Sequence, residues 1–131
     1  MANTVETIKC IVVDDAALMR ATIRQLLESD PQVEVIDTAG SGPVALQKIR
    51  EQCPDVVTMD IEMPGMDGFD ILKLLRNTDE TKDIPVIALS ANAMPVQVQK
   101  GLDAGFRRYL TKPIKANQVL EAVGEMLGLE L

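Results

Sequence analysis

Asp14, Asp15, Asp60, Ser90 and Lys112 are the residues whose types and places could do chemistry. Each falls where an apolar run stops. Asp14 and Asp15 follow the run 8–13, Asp60 ends the run that starts at 55, Ser90 ends the run that starts at 84, and Lys112 follows 107–110. In an open α/β sheet, ligands bind in the crevice beyond the carboxyl ends of the strands. A carboxylate placed there can be a nucleophile, a metal ligand or both. Three carboxylates in one crevice repel, and proton uptake or a cation must relieve that. Mg2+ suits an all-oxygen set because it takes a few carboxylates and keeps several waters. Mn2+ is possible in the same set. The ion would leave the cluster near a charge of about −1, so an incoming phosphoryl group becomes tolerable. Lys112 could contact both Asp60 and the phosphoryl oxygens, and Ser90 offers a hydroxyl donor. A metal, a cation, a donor and an in-line oxygen nucleophile are the parts of phosphoryl transfer.

Taken singly, these residues have plainer explanations. The Asp pair and Ser90 would be helix caps, and Lys112 a solvated lysine. Those explanations would have to coincide at four strand ends in succession.

The elements that must bring these residues together alternate along the whole chain. Apolar or β-branched runs predict strands over 8–13, 33–38, 55–59, 84–89 and 107–110. Helical spacing predicts helices over 17–28, from Pro43 to about 52, from 67 or 68 to 76, over 95–104 and over 116–127. Leu18, Met19, Ile23, Leu26 and Leu27 form the stripe expected to be buried on the first helix. Ile71, Leu72 and Leu75 form that of the third. Val98 and Leu102 lie one turn apart on the fourth, and Val119, Leu120, Val123, Met126 and Leu127 line the last. Five βα units in a row imply an α/β fold, a five-stranded parallel sheet with helices on both faces. The last predicted helix ends close to the end of the sequence, so no effector domain is expected to follow within it.

Composition removes several classes of function. With 131 residues the chain is expected to form one domain spanning 1–131, with 1–7 as a flexible N-terminal tail. The hydrophobic fraction of 47% supplies a core, and aromatics at 2% make that core aliphatic and Met-rich. The formal net charge of −7 argues against nucleic acid or an anionic membrane as a partner. No run approaches the roughly 18 apolar residues of a membrane span. No signal-peptide core opens the chain, so a cytoplasmic location is expected. Cys10 and Cys53 form no CxxC pair and read as reduced thiols in or near the core. With no His in the chain, His-based catalysis and His-ligated metals are excluded.

Four segments taken in order, Val12-Val13-Asp14-Asp15, Met59 to Gly68, Ala88-Leu89-Ser90-Ala91 and Leu110-Thr111-Lys112-Pro113, resemble the motifs of response-regulator receiver domains. The resemblance covers roughly 8–127. It implies a flavodoxin-like receiver fold with strand order 2-1-3-4-5. It also implies roles. Asp60 is the phosphoacceptor. Asp14 and Asp15 hold Mg2+ with Asp60, and Glu62 lends its backbone carbonyl to the ion. Lys112 pairs with the phosphoryl group, across a Lys112–Pro113 peptide expected to be cis. Ser90 bonds a phosphoryl oxygen and draws its loop inward, and Tyr109 is the switch aromatic that follows it. Glu62 and Asn92 stand at positions that tune dephosphorylation.

The resemblance implies a phosphohistidine donor on a histidine kinase or phosphotransfer protein, and a downstream protein target that reads helix four, strand five and helix five. The receiver would be a monomer or a phosphorylation-dependent dimer. It would catalyse only its own phosphorylation and autodephosphorylation. The segment 14–20 with 60–64 resembles receivers attached to chemotaxis methylesterases. Residues 88–94 resemble those fused to hybrid histidine kinases, so excision from either parent is an alternative.

Other readings compete. A receiver-shaped binding module that is never phosphorylated would not need the full set of site residues. A Mg2+-dependent phosphohydrolase would use Asp60 as nucleophile and Glu62 as acid, but this length shows no cap or substrate pocket. Gly40-Ser41-Gly42-Pro43-Val44-Ala45 fits a loose dinucleotide fingerprint. It follows the second strand rather than the first, and Pro43 removes an N–H that a pyrophosphate could use. A tight turn and helix start account for it.

Overall fold

A computed structural model describes residues 7–129. Its elements are β1 (Ile8–Val13), α1 (Ala17–Glu28), β2 (Val33–Ala39), α2 (Gly42–Gln52), β3 (Val56–Asp60), α3 (Gly68–Arg76), β4 (Val86–Ser90), α4 (Pro95–Ala104), β5 (Arg108–Thr111) and α5 (Ala116–Leu127). The strands form one parallel sheet in the order β2-β1-β3-β4-β5. Consecutive parallel strands need a helical crossover, and each crossover returns every strand in the same direction. All the carboxyl ends therefore fall on one edge.

Alternation along the strands splits the core into two layers. Ile11, Val13, Val57 and Met59 face a layer with Ala45, Leu46 and Ile49 of α2 and Ile71, Leu72 and Leu75 of α3. Cys10, Val12, Ile87 and Leu89 face a second layer with Ile23 and Leu27 of α1 and Val119, Ala122 and Val123 of α5. Every residue of β3 and β4 is buried, as expected for parallel strands covered on both sides.

The departures from expectation sit at element ends and on helix flanks. β4 starts two residues later than Ile84, because the Ile84 N–H donates to the Thr81 carbonyl in a turn and Pro85 has no N–H to give. β5 is shifted by one residue, and Gly42 rather than Pro43 opens α2. Leu18 is 82% exposed and leaves the α1 stripe, of which Ile23 and Leu27 are buried. On α4, Leu102 is exposed and Gly101 is the buried position, against the Tyr109 ring. Cys10 is buried, but Cys53 is an exposed helix end with φ of 43°, not a core thiol. Of the expected tail, residues 1–6 lie outside the described residues, and the Thr7 hydroxyl donates to Glu34 at 2.7 Å. Among the described residues no helix is long and apolar enough to cross a membrane.

The glycines of the dinucleotide-like segment are explained by packing. A Cβ on Gly42 would lie 2.8 Å from Met66, and one on Gly40 would lie 2.8 Å from the Arg20 guanidinium. Gly68 is tighter in kind, because its Cβ would stand 2.8 Å from the backbone Cα of Ile61. That contact folds the β3–α3 loop onto the start of α3. A capping box completes the turn, with Asp67 accepting from the Asp70 N–H and Asp70 from the Asp67 N–H.

Two outcomes follow from this packing. Gly68→Ala should lose about 1–3 kcal/mol in urea denaturation with an unchanged m-value, because the clash is with backbone. Burial pushes the Cys10 thiol up to about 12, with Asp55 and Glu28 adding to the effect. Alkylation near pH 8 followed by intact mass should therefore add one group to the native protein, at Cys53, and a second only after denaturation.

Candidate functional site

The carboxyl edge of the sheet brings the acids together. β1 and β3 are hydrogen-bonded neighbours, with Val13 opposite Met59, so Asp14 and Asp60 leave adjacent strands side by side. One carboxylate oxygen from each of Asp14, Asp15 and Asp60 lies within 4.8 Å of the others. Asp14 and Asp60 are buried at 0% and 2% exposure, and Asp15 is exposed.

Asp14 is not the cap of α1. Ala16 holds that position, and the Asp14 Oδ1 instead accepts from the Ala16 N–H at 2.9 Å. That bond turns the chain sharply and leaves the other carboxylate oxygen facing the crevice. There Lys112 Nζ stands 3.3 Å from Asp14 Oδ2 and 3.6 Å from Asp60 Oδ1. The Lys112 N–H donates to the Ser90 carbonyl at 2.8 Å, and the Lys112–Pro113 peptide is cis.

Burial pushes the Asp60 carboxyl up to about 6. The Glu62 N–H opposes this at 3.0 Å, the Asp14 charge adds to it, and Lys112 opposes it. A raised carboxyl beside two more acids is a site short of positive charge. The donors are all oxygen, and one side is open through Asp15. A hard divalent cation that retains waters fits this set, and Asp14, Asp15 and Asp60 would hold it.

Ser90, Asn92 and Tyr109 form a second set of contacts beside the first. Ser90 is buried at the end of β4, next to β3. Its hydroxyl donates to Glu62 Oε1 and accepts from the Asn92 N–H at 2.9 Å. The Ala91 N–H donates to that same Glu62 oxygen at 2.7 Å. The Ser90 hydroxyl holds the Glu62 carboxyl below the usual carboxylate range; burial opposes this, and the Ala91 N–H and Lys112 add to the lowering. The Tyr109 hydroxyl donates to the Asn92 carbonyl at 2.7 Å, and Asn92 Oδ1 accepts from the Met94 N–H at the start of α4.

Three contributions are not apparent from the sequence alone. The Glu62 side chain reaches across to Ser90 at the end of β4, a contact beyond the carbonyl and dephosphorylation-tuning roles expected of it. The Ala91 N–H is a backbone group that no side-chain motif displays. Arg20 donates to the Asp14 carbonyl at 2.8 Å and so braces the acidic turn. Its spacing of one helical turn beyond the start of α1 was the available signal. A cleft of about 280 Å3 lined by Thr7, Lys9, Gln52, Cys53 and Asp55 lies at the opposite edge of the sheet, away from Asp14, Asp15 and Asp60.

A family model described as response regulator receiver domain matches residues 10–124. The chain belongs to that family. The receiver is 39% identical over 120 residues to the chemotaxis protein CheY of Bacillus subtilis, covering 92% of this chain and 98% of that one. It is 42% identical over 121 residues to a protein-glutamate methylesterase/protein-glutamine glutaminase of Koribacter versatilis, covering 90% of this chain but 32% of the relative. The receiver thus spans about a third of the length of that and other methylesterase relatives. Among solved structures it resembles the CheX–CheY–BeF3–Mg2+ complex of Borrelia burgdorferi, with a TM-score of 0.85 and 30% identity over 93% of this chain and 90% of that one.

A folded-state carboxyl pushed up favours its protonated form. Its contribution to stability is full below the ordinary carboxylate value and is lost as pH rises through about 6. At pH 7 without divalent cation, Asp60→Asn should therefore stabilise the receiver, by about 1–3 kcal/mol in urea denaturation. At pH 4 the gain should shrink.

Proposed function

We propose that the receiver takes a phosphoryl group onto Asp60 from the phosphohistidine of a histidine kinase or phosphotransfer protein. The observation that carries this is the buried Asp60 carboxylate, set within 4.8 Å of two further acids and 3.6 Å from Lys112. That placement strains an isolated protein electrostatically and suits one that binds a cation and then a transferred anion. In the transfer, an Asp60 oxygen bonds to phosphorus as the phosphorus–nitrogen bond breaks. The departing histidine keeps the electron pair of the broken bond. Bound Mg2+ supplies charge neutralisation for the carboxylates and the transferred group. Lys112 offsets charge on the phosphoryl oxygens. The complex of the Borrelia relative is named with both BeF3 and Mg2+, which supports an anion and a divalent cation as ligands of a receiver complex.

The signal is carried by Ser90, Asn92 and Tyr109. A pull on the Ser90 hydroxyl acts on the Asn92 N–H, and the Asn92 carbonyl holds the Tyr109 hydroxyl. Tyr109 lies on β5 and packs against Gly101 of α4, so its release changes the surface formed by α4, β5 and α5. A downstream protein reads that surface. The receiver works in the cytoplasm and turns over no external substrate. Glu62 and Asn92, beside the acceptor and the switch hydroxyl, set how long the acyl phosphate survives.

Incubation with Mg2+ and acetyl phosphate should add one phosphoryl group by intact mass, and a chelator should prevent it. Asp60→Asn should show no adduct. An undiminished adduct in that variant would overturn the assignment of the acceptor.

A further inference from the structure

We propose that the Glu62 carboxylate is a built-in occupant of the anion seat that a phosphoryl group on Asp60 needs, so that phosphorylation must exchange one anion for another. This rests on the reading of Asp60 as the acceptor and adds a device that regulates that site.

The seat is defined by two donors on one oxygen. The Ser90 hydroxyl and the Ala91 N–H both donate to Glu62 Oε1. Two donors converging on a single oxygen at the end of a strand form an anion-binding arrangement whatever anion fills it. The seat lies beside the acceptor. Asp60 and Ser90 end neighbouring hydrogen-bonded strands, with Asp60 opposite Leu89 and the Ile61 N–H donating to the Leu89 carbonyl at 3.1 Å. Glu62 straddles the two positions, its N–H on the Asp60 carboxylate and its side chain on the seat.

The seat cannot serve two anions. Ser90 has one proton to give, and its oxygen already accepts from the Asn92 N–H. Ala91 has one N–H. A phosphoryl group on Asp60 brings about two negative charges beside the one on Glu62, and like charges at contact distance disfavour each other. Glu62 is exposed, so its carboxylate can leave into water while Ser90 stays buried. The hydroxyl is therefore never idle. In the resting receiver Glu62 holds it in place on the Asn92 N–H, and the incoming phosphoryl group must take it over.

Two readouts test this on the full chain. Without any donor, the Ala91 amide should exchange with solvent about ten-fold faster in Glu62→Ala than in wild type, because its acceptor is gone. With Mg2+ and acetyl phosphate, Glu62→Ala and Glu62→Gln should form the Asp60 adduct about five-fold faster than wild type. In a Ser90→Ala background the same Glu62 substitution should give less than half of that gain. An unchanged Ala91 amide would overturn the proposal. So would an equal gain in both backgrounds, since Glu62 would then act through its charge alone. A normal adduct in wild type with no gain in either Glu62 variant would remove this inference and leave the acceptor reading intact. No adduct in any of the proteins would remove both.

Discussion

Repulsion among Asp14, Asp15 and Asp60 is the constraint on which the rest of the structure depends. Three carboxylates within 4.8 Å, two of them buried, are not an arrangement that a chain folding only for stability would keep. Lys112 offsets part of that charge, from a position 98 residues beyond Asp14 along the chain. The parallel topology makes this possible. Each crossover returns the next strand in the same direction, so one edge collects every strand-end residue.

Local bonds then aim the side chains. The Asp14–Ala16 turn, the Arg20 bond to the Asp14 carbonyl and the Lys112 N–H bond to the Ser90 carbonyl each fix one entry into the crevice. Glu62 fixes two, holding the Asp60 carboxylate with its amide and the end of β4 with its own carboxylate. The residues nearest Asp60 are thus bonded to the loop that leads into α4. Hydrogen bonds run from the Asp60 carboxylate through Glu62 and Ser90 to Asn92 and on to Tyr109, through groups that have a limited number of hydrogen bonds to give.

Much of this is legible in the residues themselves. Strand ends are marked by the change from apolar to acidic or hydroxyl residues, and that change alone puts Asp14, Asp60 and Ser90 at the edge of the sheet. The strand order is not derivable from the pattern and came from the resemblance to receivers. Helix faces are legible where the stripe is deep, as in Ile71, Leu72 and Leu75. They mislead where an apolar residue sits beside the stripe rather than on it, as with Leu18 and Leu102. The Glu62–Ser90 contact is hidden for a different reason. It joins residues 28 apart in sequence, across two strands, and depends on a rotamer that no spacing rule encodes.

The central claim is that the three carboxylates form one cation site beside Lys112, and Mg2+ titration calorimetry tests it most directly. The account predicts saturable uptake of one ion per chain, lost in Asp14→Asn and in Asp60→Asn and retained in Tyr109→Phe. No uptake by the wild-type receiver, or uptake indifferent to both aspartate substitutions, would contradict it.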